Sequence, residues 1–312
     1  MNRLPVVHGS SRGVALIVVL WAVALVSAAM MGLAAILQRQ LGQEVASLQN
    51  SRAVLVAESG IQMCLNPQIQ PGMVEEASRV LGARLQEGWQ VPVQFSVRAR
   101  DLKGEEGRIN LNTLAMGNRE LARRILTNLF GGWNVSPTSS SAFIDALFDY
   151  VDADSLTTGN NDVTEEGAKN APMETLEEIQ KIPGWDQVLR ESTQPGWKDK
   201  LTIFGSGKLS LKSADQDVIE AWLGLNPGAA ANFVQSRPGA DGVEGTPDDQ
   251  FNPGLLGNLS EESQARILPA DSDLWRVTST GQVGEVKRTV VALISRNPPQ
   301  IKARWVEDGA EP

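Results

Sequence analysis

Ten carboxylates lie within the forty residues 141–180, where Lys169 is the one base. The ten are Asp145, Asp149, Asp152, Asp154, Asp162, Glu165, Glu166, Glu174, Glu177 and Glu178. Asp152 and Asp154 lie where a helix should end, and a loop rich in Gly, Asn and Thr follows them as far as Asn170. Several hard oxygen ligands on a flexible loop are what Ca²⁺ prefers. The spacing does not fit an EF-hand, so spacing alone leaves open a calcium site and a solvated acidic loop.

A second acidic loop, also rich in glycine, runs from Gly239 to Asp249. It carries Asp241, Glu244 and Asp248 between two segments with helical patterns. A metal site and a solvated turn are both open interpretations of this loop.

The rest of the composition excludes several kinds of chemistry. The chain has one histidine, His8, and one cysteine, Cys64. A disulfide framework, a Cys-clustered zinc site and His-based catalysis therefore have no basis. We expect a protein that is not an enzyme and that works by assembly. The alternative from another class is a membrane-anchored periplasmic hydrolase with a metal on Asp149, Asp152 and Asp154.

Nucleic-acid binding is not expected. The net charge of the 312 residues is −9, whereas a nucleic-acid binder needs a basic surface to displace counterions. Residues 176–184 resemble half of a helix-hairpin-helix, which grips DNA phosphates. Lys181 stands there beside three glutamates, so the local field repels DNA and a structural turn is favoured.

The elements around these residues begin with a long apolar run, Val14 to Leu37, which contains no charge. As a helix it would be about 36 Å long, enough for a bilayer core of about 30 Å. Arg3 and Arg12 precede it and hold that end in the cytoplasm. A cleavable signal peptide and a plain signal anchor are alternatives. Apolar residues then recur at helical spacing with no proline before Asn66, which predicts one helix of about fifty residues.

Strand patterns occur on both sides of a long helical middle section. Alternation from Trp89 to Arg100 predicts a half-buried strand, and residues 274–280 and 288–295 predict a hairpin with its turn at 281–284. Residues 301–306 predict a further strand. Segments 121–130, 142–151, 175–182 and 218–225 read as helices. The fold class is therefore α+β: a long N-terminal helix packed on a small antiparallel sheet, with a large, mostly helical domain inserted.

The middle section contains a weak internal repeat. Residues 108–114 (RINLNTL) and 208–214 (KLSLKSA) are each followed by an apolar helical pattern. Each copy predicts a short strand, a Thr or Ser able to cap, and a helix.

The N-terminal segment resembles the type IV pilin-like proteins, through a short basic leader that ends in Arg12-Gly13 and an apolar helix that follows at once. The resemblance implies that a prepilin peptidase cleaves between Gly13 and Val14 and that the new N-terminus is methylated. Most members carry Glu at the fifth mature position, where this chain has Val18. The chain resembles the minor pseudopilin K (GspK) family of type II secretion systems in three features: the absence of that Glu, the NLNT segment at residues 110–113, and the acidic loop.

Members of that family bind calcium at an Asp-x-Asp, an acidic Gly-rich loop and an Asn-x-Pro. The resemblance therefore implies calcium as cofactor, with the ligands drawn from Asp152, Asp154, Asp162, Glu165, Glu166 and Asn170. The tyrosine that is usual in this loop of the family is absent, so the ligand set of this chain differs in detail from that of the family.

The resemblance also implies a role: capping or initiating the pseudopilus tip during export of folded proteins across the outer membrane. The implied partners are other minor pseudopilins, the major pseudopilin, the prepilin peptidase and the inner-membrane assembly platform. The chain would cross the inner membrane once, with most of it periplasmic. A minor pilin of a type IV pilus is the alternative. The predicted organisation is a leader (1–13), a membrane segment (14–37), an amphipathic stalk (38–65), a pilin-like sheet (66–106 and 271–312) and an inserted domain (107–270).

Overall fold

The structure, a computed structural model, describes residues 11–89, 91–97, 102–153, 168–194, 196–242, 244, 248–269 and 272–307, without side chains for residues 11–15 and 71. The helices in chain order are α1 (Ser11–Cys64), α2 (Val74–Glu87), α3 (Leu111–Ala115), α4 (Arg119–Gly132), α5 (Pro137–Val151), α6 (Trp185–Glu191), α7 (Gln216–Leu223), α8 (Ala231–Ser236) and α9 (Glu261–Ala265). The strands are β1 (Val93–Ser96), β2 (Leu102–Gly104), β3 (Ile109–Asn110), β4 (Leu201–Thr202), β5 (Leu274–Val283), β6 (Val286–Arg296) and β7 (Pro299–Glu307). We call described residues within 107–269 the insert and all other described residues the frame.

Helix α1 confirms the predicted long N-terminal helix. It runs unbroken for 54 residues, about 81 Å at 1.5 Å per residue. Its large apolar side chains from Leu16 to Leu37 are exposed, and fully buried positions begin only at Ala53. By length and composition, α1 can cross a membrane. Its last three turns instead pack against the rest of the frame.

The frame sheet is antiparallel, in the order β1-β5-β6-β7, with β2 pairing farther along β5. Strand β1 shows the predicted alternation, since Val93 and Phe95 are buried while the residues after each are exposed. Side chains on one face of the sheet, among them Val277 and Val290, join Val56 and Ile61 of α1 in a single hydrophobic core.

The hairpin between β5 and β6 exists, but the predicted turn at 281–284 is wrong. Strand β5 continues to Val283, and the turn consists of Gly284, with φ of 60°, and Glu285. Gly281 lies within the strand beneath α1, where a Cβ atom would overlap the carbonyl of Ala53 and the amide of Ala57. The glycine thus permits close approach of helix and sheet.

Contacts along α1 show which end of the frame carries the insert. The turn between β5 and β6 lies toward the apolar half of α1, because Arg288 there donates to Asn50. At the opposite end, Leu274 pairs with Ser295, beside Arg296, which contacts the turn after α1. The chain enters and leaves the insert at this second end. The insert therefore lies at the end of the frame away from the apolar half of α1.

The turn after α1 is held by a side chain from the sheet. Arg296, the last residue of β6, donates from Nη2 to the carbonyl oxygens of residues 66, 67 and 69 at 3.2, 2.8 and 2.6 Å. Its guanidinium lies over Trp275, 5.7 Å from the ring centroid. Cys64 is fully buried at this end of α1 and packs in the hydrophobic core of the frame.

The insert has a separate core of helices and aromatic rings. Phe143 and Trp185 are 5.1 Å apart between centroids, and Trp185 lies 5.2 Å from Trp197. Helices α4, α5 and α7 confirm three of the predicted segments. The fourth, 175–182, is a 3-10 helix, Leu176–Lys181, instead of an α-helix.

The predicted internal repeat is only partly correct. Its first copy forms β3, but β3 pairs in parallel with β4 and not with residues 208–214. That second segment forms turns and an isolated bridge between Leu209 and Ile267. The predicted Thr and Ser caps are also wrong: Asn110 caps α3 and Asn118 caps α4, while Asp215 precedes α7 without a side-chain capping bond.

Candidate metal centre

Asp152 lies where α5 ends, as the sequence predicts. Its amide donates to the carbonyl of Phe148 at 2.9 Å and closes the last helical turn. Its Oδ2 forms an ion pair with Arg119 of α4, and its Oδ1 is buried. The guanidinium of Arg119 also lies over Phe148, 5.6 Å from the ring centroid. Asp152 is thus a carboxylate in a fixed position at the start of the acidic loop.

Asn170 lies where the loop returns to the insert. Its backbone is left-handed, with φ of 51°, and its amide donates to the carbonyl of Tyr150 at 3.0 Å. This bond places the backbone of Asn170 against Tyr150, which is two residues before Asp152 in the chain. The Oδ1 atom of Asn170 is buried and accepts no hydrogen bond within the described part of the chain. A buried amide oxygen with no protein donor is a group that a hard cation could bind.

The other predicted ligands fall outside the described residues. They are Asp154, Asp162, Glu165 and Glu166. Among the residues that the structure describes, no group of three or more His, Cys, Asp or Glu side chains is placed to hold a metal ion. Of the six predicted ligands, the structure therefore describes only the first and the last, Asp152 and Asn170.

A side chain that the sequence analysis did not assign to the site holds the segment after the acidic loop in place. Asn112, in the NLNT segment, donates from Nδ2 to the carbonyl of Met173 and accepts at Oδ1 from its amide, both at 2.9 Å. Asn110 makes a similar link, donating to the carbonyl of Phe204 at 2.8 Å. Both asparagines are buried. The sequence contains a sign of this role: two asparagines on either side of Leu111 are costly to bury unless they bind backbone groups.

Glu178 anchors the 3-10 helix Leu176–Lys181, which follows this segment. Burial alone would raise the pKa of this carboxyl group, but hydrogen bonds from Lys169 and from the amides of Thr175 and Glu174 outweigh it. The pKa of Glu178 is lowered to about 2 as a result. The hydroxyl of Tyr150 donates to the same carboxylate at 3.3 Å. Glu178 is therefore a structural carboxylate, held ionised.

Bases from outside the acidic segment neutralise part of its charge. Arg123 pairs with Asp145, Arg119 with Asp152, and Lys198 with Glu177 at 3.2 Å. The interval 141–180 includes acids of α5 but not the arginines of α4, which pack beside them in the fold. The local charge is thus less negative than the sequence alone indicates.

The second acidic loop is organised by its own backbone. Asp248 Oδ2 accepts from the amides of Ala240 at 2.8 Å and Asp241 at 3.1 Å, and Glu244 pairs with Arg237 at 3.1 Å. These bonds describe a hydrogen-bonded turn. Residues 243 and 245–247 lie outside the described residues, and metal binding by this loop stays untested.

The predicted processing residues lie at the start of α1. Gly13 and Val14 are within the helix, which begins at Ser11, and their side chains are not described. Val18 is exposed on the apolar half of α1, with 61% of its surface accessible.

Residues 107–196, which form the first half of the insert and carry Asn112, Asp152 and Asn170, match the family model described as type II secretion system (T2SS), protein K. The comparison with curated proteins returned no match. The fold is similar to a chain in the crystal structure of the GspK-GspI-GspJ complex from the enterotoxigenic Escherichia coli type 2 secretion system.

That structural likeness has a TM-score of 0.57 at 16% identity and covers 86% of this chain and 100% of the other. It extends over most of this chain and confirms the predicted α+β, pilin-like fold. The family match lies within the insert, and the apolar half of α1 is long enough to serve as a single-pass anchor. Residues 107–196 thus match the type II secretion system protein K family, and the fold of most of the chain is similar to that of a chain in the GspK-GspI-GspJ complex.

Proposed function

We propose that this subunit occupies the tip of the pseudopilus, bound to other minor pseudopilins and followed below by the major pseudopilin, during export of folded proteins across the outer membrane. The observation that carries the proposal is the position of the insert. It lies at the end of the frame away from the apolar half of α1, where another subunit would otherwise stack. A subunit extended on that side can begin or end a filament but is poorly shaped to continue one.

Val18 supports the same position. A carboxylate at this depth in hydrocarbon is costly unless a neighbour pairs with it. A subunit with no neighbour above it gains nothing from such a carboxylate, and α1 presents an exposed valine there instead.

Co-purification tests the tip assignment. The full chain is expressed with the pseudopilins of its own system and extracted in detergent. We expect a stoichiometric complex with the other minor pseudopilins, as the GspK-GspI-GspJ complex is for its own system. Labelling of assembled pseudopili should then show this subunit at one end. Labelling along the whole length would contradict the proposal.

Maturation requires a peptidase before assembly. We propose that the chain crosses the inner membrane through α1 with Arg3 and Arg12 in the cytoplasm, and that prepilin peptidase cleaves and methylates it at Gly13/Val14. The assembly platform in the inner membrane would then receive the mature helix. A Gly13→Leu variant should retain the thirteen-residue leader by mass, while Gly9→Leu should lose it. A mature N-terminus elsewhere in the wild-type chain would refute this step.

Calcium is proposed as the cofactor of the loop between Asp152 and Asn170. The residues present fit it, since the buried Oδ1 of Asn170 lacks a protein donor in the described chain and the backbone of Asn170 is bonded to Tyr150, two residues before Asp152. The full proposed set is Asp152, Asp154, Asp162, Glu165, Glu166 and Asn170. A bound cation would neutralise charge and join the start of the loop to its end.

Thermal unfolding in millimolar Ca²⁺ and in chelator tests the metal. Ligand at a hundred times its dissociation constant should stabilise the chain by about 2.7 kcal/mol. Asn170→Gly keeps the left-handed backbone and removes the amide oxygen, so it should reduce the calcium-dependent shift in melting temperature. Asp248→Asn, in the second acidic loop, is the matched control and should retain that shift. Identical wild-type curves in calcium and chelator would refute the site.

A further inference from the structure

The frame and the insert have separate hydrophobic cores. The buried apolar residues of the frame and those of the insert form two clusters that share no residue. Apolar packing therefore stabilises each part but does not by itself fix how one is oriented on the other. The junction between them is instead occupied by two buried glutamates, Glu105 and Glu106.

Glu105 binds groups from both parts. Arg276 of β5, in the frame, donates to its carboxylate through Nε at 2.8 Å and Nη2 at 2.6 Å. From the insert, Arg108 donates through Nη1 at 3.1 Å, and the hydroxyl of Thr202 in β4 donates as well. The side chain of Glu105 is fully buried, so these charge-assisted bonds form away from water.

The arginine itself reaches across the junction. Arg276 donates through Nη1 to the carbonyl of Lys198 in the insert at 3.1 Å, and its guanidinium lies over Trp305 of β7 at 5.6 Å. One side chain of the sheet is thus fixed to β7 on one side and to the insert on the other.

Glu106 ties together the chain segments that enter and leave the insert. Its Oε2 accepts from the hydroxyl of Ser272, on the returning segment, at 2.6 Å. Its Oε1 accepts from the amide of Ser206 at 3.2 Å, and its carbonyl accepts from the amide of Ser210 at 2.7 Å. Its neighbour Gly107 lies against Ser213, where a Cβ atom would be 2.6 Å from that residue's carbonyl carbon.

We propose that Glu105 and Glu106 form a polar clamp that locks the insert in one orientation on the frame, so that the subunit is a single rigid body before any partner binds. Buried ion pairs add little net stability over apolar packing, but they demand one geometry. A bidentate arginine–carboxylate pair is especially demanding in this respect. The inference concerns the free subunit and stands whether or not that subunit caps the pseudopilus.

The test measures a distance between the two parts in the full chain, in detergent. Gln62 on α1 and Glu120 on α4 are exposed, and each is replaced by Cys to carry a spin label, while Cys64 is fully buried. Pulsed electron resonance gives the distance distribution. We expect one narrow peak for the parent chain and a broader, shifted distribution for Glu105→Gln and for Arg276→Lys.

Three further measurements make the outcome decisive. Arg79→Gln breaks an exposed ion pair on α2 and should leave the distribution narrow. Far-ultraviolet circular dichroism identifies the variants that remain folded. If Glu105→Gln does not fold, the distance distributions of Arg276→Lys and of the milder Ser272→Ala test the clamp instead. Folded clamp variants with the parent's narrow peak would overturn the proposal, as would a broad distribution in the parent chain.

Discussion

The frame and the insert are stabilised in different ways. In the frame, one helix packs on an antiparallel sheet, and the backbone groups of β5 and β6 pair with each other over ten consecutive residue pairs. In the insert, helices surround aromatic rings, and asparagine side chains bind the backbone of segments that have no regular pairing. A regular region tolerates changes of side chain that keep its periodicity, whereas an irregular one depends on individual polar groups.

The largest effect should come from the aromatic core of the insert. Trp185 is fully buried and contacts Phe143 and Trp197, so Trp185→Ala should cost about 3–5 kcal/mol. Hydrogen exchange should show loss of protection in α4 and α5 while β5 and β6 stay protected. Equal loss in both regions would show that their stabilities are not separate.

The matching change in the frame is Gly281→Ala. A methyl group there would overlap the backbone of α1, so we expect destabilisation of about 1–3 kcal/mol in denaturant unfolding. Gly82→Ala on α2 is the control, because nothing lies within 4 Å of a Cβ at that position. The control should stabilise by up to about 1 kcal/mol. A neutral Gly281→Ala would mean that α1 and β5 are not so closely packed.

A smaller effect should follow Asn112→Ala. It leaves the amide and carbonyl of Met173 without their partner, at about 1–3 kcal/mol if they stay buried and less if water reaches them. The change should also weaken the proposed calcium binding, because Asn170 lies three residues before Met173, which Asn112 holds. Titration calorimetry measures this second effect, and Asn258→Ala, at an exposed position, is the control. Unchanged stability would contradict the idea that the insert, unlike the frame, depends on individual polar side chains.

The smallest effect concerns pH. The pKa of Glu178 is depressed from 4.5 to about 2, so the stability it contributes is present above pH 4.5 and is lost as pH falls toward 2. Glu178→Gln should flatten this part of the stability curve. Glu177→Gln, which affects an exposed pair with Lys198, should not. Acid unfolding monitored between pH 5 and 2 distinguishes them, and parallel curves for Glu178→Gln and wild type would contradict the assignment.

Much of the frame could be predicted from sequence because its periodicity is local. Apolar spacing indicates α1, and alternation indicates β1, β5 and β6. Gly281 was misassigned to a turn because a glycine in a strand pattern gives no sign of the helix that crosses it. The insert was harder to predict, since β3 pairs with β4 some ninety residues away and no local pattern encodes that partner.

The candidate site shows the same limit. Asp152 and Asn170 are predicted as ligands through a resemblance, and the structure shows only that the backbone of Asn170 is bonded two residues before Asp152. The tether from Asn112 and the ion pair from Arg119 come from other segments of the chain, so no window around the acidic loop contains them. The ligands between residues 154 and 167 stay predictions.

Arg296 has a consequence for how a force along α1 would reach the sheet. The last turns of α1 pack directly on the sheet, and three hydrogen bonds from Arg296 also join residues 66–69, after α1, to β6. Strand β6 lies between β5 and β7, so the load is a shear that their whole ladders of hydrogen bonds resist together. Such a joint transmits both push and pull between α1 and the sheet, without peeling a strand from its end.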